Sequence, residues 1–385
     1  MTVAPAVLAP AVLLAGPRGR RLCLEWARTW SQNDDERLSS AIFYAAHNLD
    51  PGRGVSRVLF GVGTDGSDRD ADHGSKPPAP GDVARLLADA PLTEPDGPTL
   101  MPALAAAVGN ARYWEPPDGE DVLAAAPDMR AALARVAHLL AGSPHASWWT
   151  TPVGDPAGDP AGDPAGDTAQ WAVEFAGTTV DGEPVRAAAE ILELSRVGRA
   201  EEGELAERDW PADPRASFSG PWWSKPPSAL TRTTRALAGG GPVGLALVED
   251  ALGWDAATVH RINLPRDARV YEIDGPDDWA YLCRRYPVRV TAARRQVWYQ
   301  TTGRIGLWVM PDWAAVAQDV DAVHLTVAGY LATAGRAIQV ADDFATVLAG
   351  WDPDQTYWLT DVDHAPATAQ VWHRGESDWT RAVDA

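Results

Sequence analysis

Beyond residue 220 the chain alternates short apolar runs with brief helical patterns, and that alternation limits its fold more than any other feature. Runs of strand length occupy 229–235, 243–248, 269–274, 288–293, 322–327, 345–350 and 356–361. Two helical stretches stand among them, 277–286 and 311–320. Each places Pro and Asp ahead of a Trp, where a carboxylate can meet the unpaired N–H groups of a first turn. This is not a regular βαβ alternation, so a doubly wound parallel sheet is disfavoured. The expected class is α+β, with a helix-rich N-terminal part and a C-terminal part of short, mostly antiparallel strands in a small sheet sandwich.

The N-terminal part reads less evenly. RLCLEWA (21–27) and VSRVLFGV (55–62) have the look of strands, the second following a turn at Asp50-Pro51-Gly52. Residues 63–81 read as an exposed polar loop. Helices are expected behind Asp82, over 99–113, and behind Asp128, where Leu133, Val136, Ala137 and Leu140 share one face and Gly142 suits the stop. The first sixteen residues are apolar. They are broken by Pro5 and Pro10, and they are followed rather than preceded by Arg18, Arg20 and Arg21. That order fits neither a signal peptide nor a membrane span. A flexible arm or first strand, a cytoplasmic location and no membrane partner are expected. Cys23 and Cys283 lie far apart without metal spacing, so neither a disulfide framework nor a bound metal is expected. The GDPAGDPAGDPAGD run at 154–167 has nothing to bury and reads as a linker or hairpin loop. It suggests domains at 1–150 and 169–385 joined by 151–168. Alternatively, the Trp148-Trp149 segment and 170–176 would be two arms of one hairpin. Trp148-Trp149 and Trp222-Trp223 sit in similar WW-[ST]-x-P contexts, a short match that reads as a recurring aromatic plug.

The chain has 33 basic and 53 acidic residues, a net charge of −20. Such a field repels phosphate and excludes a general nucleic-acid coat protein. Nearly all the basic residues are Arg, with Lys only at 76 and 225, and in composition the whole chain resembles proteins of GC-rich bacteria. Against this background residues 279–311 contain no acid. They carry Arg284, Arg285, Arg289, Arg294, Arg295 and Arg304, interleaved with Tyr281, Tyr286, Trp298, Tyr299 and Trp308. Guanidinium forks match phosphate oxygens and aromatic faces stack on flat rings. The expectation is a cleft for an anionic small molecule or nucleotide, with Arg284, Arg285, Arg294, Arg295, Trp298 and Tyr299 as cofactor-binding residues. The plainer alternative is a solvated face whose arginines pair with carboxylates elsewhere.

Strand alternation puts His324 and Thr326 opposite Val323, Leu325 and Val327, so His324 is a candidate proton carrier. His260 has a similar but weaker profile. Asp68, Asp70 and Asp72 have the spacing of a calcium loop without its glycine or its closing glutamate. Serine-hydrolase, P-loop, zincin and dinucleotide fingerprints are absent. Gly239-Gly240-Gly241 reads as a turn. Glu249 and Asp250 end an apolar run, where neighbouring carboxylates diverge unless the backbone bends.

The succession LTRTTRAL, GPVGLALVED, ARVYEIDGPDDW, DVDAVHLTVAGYL and ATVLAGWDPDQTYWL, across about 225–362, resembles the ADP-ribosyltransferase-like folds. The resemblance implies cleavage of NAD at its glycosidic bond and capture of the ribosyl cation by an acceptor. It implies that Arg232 faces the pyrophosphate, that Thr233 and Thr234 replace a serine–threonine motif, and that an aromatic ring stacks on nicotinamide. The family's late catalytic glutamate has no counterpart here, so Glu249 or Asp352 (alternatively Asp342 or Asp343) would take its place beside His324. Two further readings stay open. One is a non-catalytic ligand-binding or protein-interaction protein with a Trp- and Arg-rich surface. The other is an enzyme acting on a nucleic-acid base.

Overall fold

The computed structural model describes residues 8–34, 36–53, 77–153, 170–177, 186–237, 241–251, 253–262, 264–265, 267–363, 369–375 and 378–382. The chain opens with helices α1 (Pro10–Ala15), α2 (Pro17–Asp34), α3 (Glu36–Leu49), α4 (Pro80–Asp89), α5 (Gly97–Gly109), α6 (Gly119–Ala125) and α7 (Arg130–Gly142). A 3-10 stretch at Pro144–Thr150 leads on to β1 (Gln170–Phe175) and the long α8 (Ala188–Asp209). Then come β2 (Arg232–Thr233), β3 (Ala236–Leu237), β4 (Gly241–Pro242), β5 (Ala256–Ile262), β6 (Val270–Ile273), α9 (Pro276–Arg285), β7 (Pro287–Arg289) and α10 (Thr291–Thr302). The last elements are β8 (Leu307–Pro311), α11 (Trp313–Asp319), β9 (Ala322–Leu325), α12 (Val327–Thr333), β10 (Ile338–Gln339), β11 (Phe344–Thr346), β12 (Gln355–Trp358), β13 (Gln370–Arg374) and β14 (Trp379–Arg381).

The class is α+β. Three four-stranded sheets run β1-β5-β13-β14, β10-β11-β8-β7 and β2-β12-β9-β6, and β3 pairs with β4 in a fourth, two-stranded one. Pairing is antiparallel except for β6 with β9 and β8 with β11. One apolar core runs from Leu13 and Trp26 in the first helices, through Tyr330 and Leu331, to Trp308, Trp351 and Tyr357. It therefore crosses the 151–168 boundary that the sequence suggested. The tryptophans are its bulk. Trp279, Trp313 and Trp351 stand 5.7–6.4 Å apart, and Trp351 meets Tyr357 edge-on at 5.2 Å. Some of their N–H groups find partners in irregular chain, as Trp298 and Trp313 donate to the carbonyls of Trp222 and Ser224, while those of Trp26, Trp149 and Trp279 are buried without one.

Several expectations change. Residues 21–27 lie inside α2, not in a strand. Leu22, Cys23, Trp26, Ala27 and Trp30 recur at helical spacing, but within 21–27 alone, where Arg21 and Glu25 alternate with apolar residues, this stripe is too short to be told from a strand. Residues 10–15 are helix α1 with Leu13 buried, not an arm or strand. The segment 243–248 begins with a 3-10 turn rather than a strand, and 288–293 passes from β7 into α10. The Trp148-Trp149 segment is 3-10, and β1 pairs with β5 instead. Asp128 sits within a 3-10 turn before α7, while Asp82 accepts from the Ala79 N–H at the start of α4. The long α8 passed unread because only Ala188, Leu192 and Ala206 are buried on it. The 55–62 strand, most of the 63–81 loop, Asp68, Asp70, Asp72, the 154–167 run, Gly239 and Gly240 lie outside the described residues. Both cysteines are buried and free. No described helix is long and apolar enough to cross a membrane.

Helix α12 joins the two parts of the core. Thr326 caps it by accepting from the Gly329 N–H at 3.0 Å, and Gly329 lies so close to the Ile273 carbonyl that a Cβ would collide with it. Gly329→Ala should lower unfolding stability by about 2–3 kcal/mol in chemical denaturation. Gly142→Ala, at a position open to space, should not.

Candidate functional site

The described interior holds charges, and they gather where β6, β9 and β12 end against the N-terminal helices. Parallel pairing sets Glu272 of β6 level with His324 of β9. The His324 Nδ1 meets Glu272 Oε2 at 2.5 Å, and its Nε2 faces Asp354 Oδ1 at 3.4 Å. Asp354 ends the turn that follows Trp351 and adopts a left-handed backbone, φ 59°, which Asp tolerates better than most residues. Its carboxylate accepts from the Thr234 hydroxyl and the Arg235 N–H, each at 3.0 Å, and from the Arg235 Nε at 2.5 Å. The Arg235 guanidinium reaches on to the hydroxyl and carbonyl of Thr151 and lies over the Trp148 ring. Glu272 also accepts from the Val153 N–H at 3.0 Å. Two carboxylates, one imidazole and one guanidinium thus complete each other's hydrogen bonds, as buried charges must.

This pairing sets protonation. Burial works against the His324 imidazolium, but the Glu272 charge and the hydrogen bonds to Asp354 and Glu272 outweigh it and raise its pKa to about 9. Burial likewise opposes the Asp354 carboxylate, but Arg235 and His324 hold its pKa below the usual range. With carboxylates on both ring nitrogens, His324 has no free lone pair to take a proton at neutral pH.

The same turn sends its other acid elsewhere. Asp352 accepts from the backbone N–H of Glu249 at 2.8 Å and from the Gln355 amide at 3.1 Å, with the charges of Lys225 and Arg232 nearby. Glu249 is buried, and the hydroxyls of Tyr113 and Tyr330 face its carboxyl. Neither closes good hydrogen-bond geometry on Oε1 or Oε2. The two hydroxyls stand 3.3 Å apart, with the Arg18 guanidinium beside them. Burial and then the Asp352 charge push the Glu249 pKa to about 8. Asp352 is also raised, chiefly by burial. Glu249 thus keeps a proton at neutral pH within the field of a second acid bonded to its own backbone N–H.

Two clefts are lined by neighbours of this pair, though by neither acid itself. A small one of about 50 Å3 touches Arg18, Tyr113 and Thr301, room for a water or two but not for a ligand. A wider one of about 420 Å3 is formed by Trp114, Trp222, Trp223, Asp250 and the backbone at 219–221. It begins one residue from Glu249, and the Trp222 ring lies 6.0 Å from that of Tyr113. Small-molecule sites begin at about this size.

Of the residues singled out by sequence, Glu249 and Asp352 come together and His324 lies in the neighbouring ion-pair network through Asp354. Arg232 flanks Asp352, while Thr234 is held by Asp354 and Thr233 accepts from the Trp358 indole. The acid-free stretch does not converge on a cleft. Arg284 donates to the Val340 carbonyl, Arg285 pairs with Asp319, and Arg304 donates to the Leu307 and Asp343 carbonyls. Arg294 pairs with Glu202 at 2.9 Å, and Arg295 donates to the Ala206, Trp210 and Pro211 carbonyls at the end of α8. Trp298 is buried, and Arg215 covers the Tyr299 ring. The cationic helix α10 is the counterpart of the acidic α8, and its positive charge is spent inside the fold. His260 faces Glu174 at 3.8 Å on a separate sheet.

Sequence reasoning missed Glu272, Arg235, Asp354, Tyr113 and Tyr330. The placing of His324 and Glu272 at the same depth of two strand patterns was a usable signal. The tyrosines arrive from the turn after α5 and from α12, remote in sequence from each other, and left none. Among the described residues no group of acids, histidines and cysteines is arranged to hold a metal.

Glu249 and His324 both bind a proton more tightly folded than unfolded, so each makes stability fall as pH rises. For Glu249 the window runs from the ordinary carboxyl range to about 8, and for His324 from about 6.5 to about 9. Urea denaturation should show stability falling most steeply between about pH 6.5 and 8. Glu249→Gln should flatten the slope below pH 8. A parent profile that rises over this interval would contradict the assignment.

Compared with models of protein families, with curated proteins and with solved structures, the chain matches none, so its site is read from its own residues.

Proposed function

We propose that the chain is a transferase of the ADP-ribosyl type that cleaves a ribosyl C–N bond of an NAD-like substrate, with Glu249 and Asp352 as its acid pair. The supporting observation is the backbone hydrogen bond that ties them: the Glu249 N–H donates to Asp352, which two cations flank, and the Asp352 charge helps keep the Glu249 carboxyl, without a formed hydrogen bond of its own, protonated. Glycosidic cleavage calls for such a division. The pyridinium leaves with the bonding pair as neutral nicotinamide and needs no proton, so one carboxyl can offer a hydrogen bond to its carboxamide while one carboxylate faces the cationic sugar as the bond breaks. The Trp114, Trp222 and Trp223 rings supply stacking surface, and Asp250 lies at the rim. His324 and Arg235 act as positioning residues, because they fix the 351–354 turn from its other side. The acceptor would take the ribosyl group, and its own proton would leave to solvent.

A non-catalytic ligand-binding protein is the second reading. It is favoured by the closure of both Glu249 carboxyl oxygens from solvent. Among the described residues Trp223 is the one exposed tryptophan, so a broad Trp-rich interaction surface has less support.

Nicotinamide release from NAD, followed by chromatography, separates the readings. The parent should release it, with a rate that falls above about pH 8 as Glu249 ionises. Glu249→Gln and Asp352→Asn should each lower kcat by roughly 100-fold or more. Saturable binding without release supports the second reading. Absence of both turnover and binding overturns the first.

A further inference from the structure

A second cleft, of about 440 Å3, opens between the start of α2, α6 and the chain after α12. Arg20 and Arg336 line it. Their Nη1 atoms donate to the same carbonyl oxygen, that of Ala15 at the end of α1, at 3.4 and 2.9 Å, so the two guanidiniums converge. Neither has a carboxylate within ion-pair distance among the described residues, and the Nε of each is buried without a partner. The acid in the same wall, Asp121, is already held by Arg18 and Arg21. The neighbouring arginines 21 and 28 are likewise matched by Glu25, Asp118 and Glu120. Arg20 and Arg336 are therefore surplus cations in a protein whose net charge is −20.

From this geometry we infer that the cleft is a binding site for a small organic oxyanion, a phosphomonoester or carboxylate carried on an apolar body. Two guanidiniums with free N–H groups match the paired oxygens of such a head. Leu49, Val122, Ala125 and Ala337 line the rest of the cleft and suit a ring or alkyl body. Like-charge crowding supports the assignment. Burial lowers the pKa of both arginines, and Arg336 adds to the effect on Arg20, while Asp121 and Asp277 offset it only in part. An arriving anion would relieve that repulsion. The site stands apart from the Glu249 and Asp352 reading, because it requires no turnover.

The test is calorimetric titration of the full chain with phenyl phosphate, benzoate and, as the neutral control, phenol. At least one anion should bind saturably, more tightly than phenol, and more weakly as sodium chloride is raised. Tighter phenyl phosphate points to a phosphate ligand, and tighter benzoate to a carboxylate. Arg336→Gln should weaken the favoured anion by about tenfold or more. Arg85→Gln, on the exposed side of α4, should leave it unchanged. Arg20 also holds the end of α1, so if Arg20→Gln does not fold, Arg336→Gln alone decides. Anion binding no tighter than that of phenol, or equal binding by the parent and Arg336→Gln, overturns the proposal. Neither result depends on whether NAD is cleaved.

Discussion

Burying a charge costs several kcal/mol unless another charge and a full set of hydrogen bonds answer it. This chain buries three of them in a row, His324, Asp354 and Arg235, with the half-buried Glu272 completing it at one end. The arrangement ties together pieces remote in sequence. Glu272 and His324 lock β6 to β9, Asp354 fixes the turn before β12, and Arg235 draws in the 148–151 segment through Thr151 and Trp148. Removing one member would leave the others uncompensated in the interior, a loss of about 3–5 kcal/mol for a buried pair. The network is therefore read as scaffold. Its function is to hold the 351–354 turn so that Asp352 emerges on the opposite side.

On that opposite side the accounting of polar groups is incomplete. Glu249 has no formed hydrogen bond on either carboxyl oxygen, although it lies among tyrosine hydroxyls and beside Asp352. Folded chains satisfy buried polar groups almost everywhere, so departures mark places where something other than stability is being served. The unmatched guanidiniums of Arg20 and Arg336 are a departure of opposite sign. Other buried polar atoms also lack a partner, among them the indole N–H groups of Trp26, Trp149 and Trp279, but Glu249 and the Arg20–Arg336 pair are the ionisable departures on which the two proposals rest.

Much of the C-terminal architecture was legible in the residues. The β6, β9 and β12 strands and the Pro-Asp-Trp helix starts followed local rules, and Asp312 indeed caps α11. Glu249 stood out at the end of an apolar run and His324 by strand alternation, whereas Asp352 was named only through the resemblance. Other features were hidden for physical reasons. The stripe of helix α2, Leu22, Cys23, Trp26 and Trp30, shows only over a span longer than 21–27, whereas α8 is mostly exposed and shows little apolar pattern. The acid-free arginine stretch misled because its partners, Glu202 and the α8 carbonyls, lie some ninety residues away and respond to tertiary packing rather than local order. Tyr113 and Tyr330 reach Glu249 by the same long-range packing.

The central claim is that Glu249 remains protonated at neutral pH inside the fold. Infrared difference spectra of the parent against Glu249→Gln, collected from pH 5 to 10, test it directly. The account predicts a protonated-carboxyl band, missing in the variant, that persists through neutral pH and disappears around 8. A Glu249 carboxyl already ionised at pH 6 would contradict it.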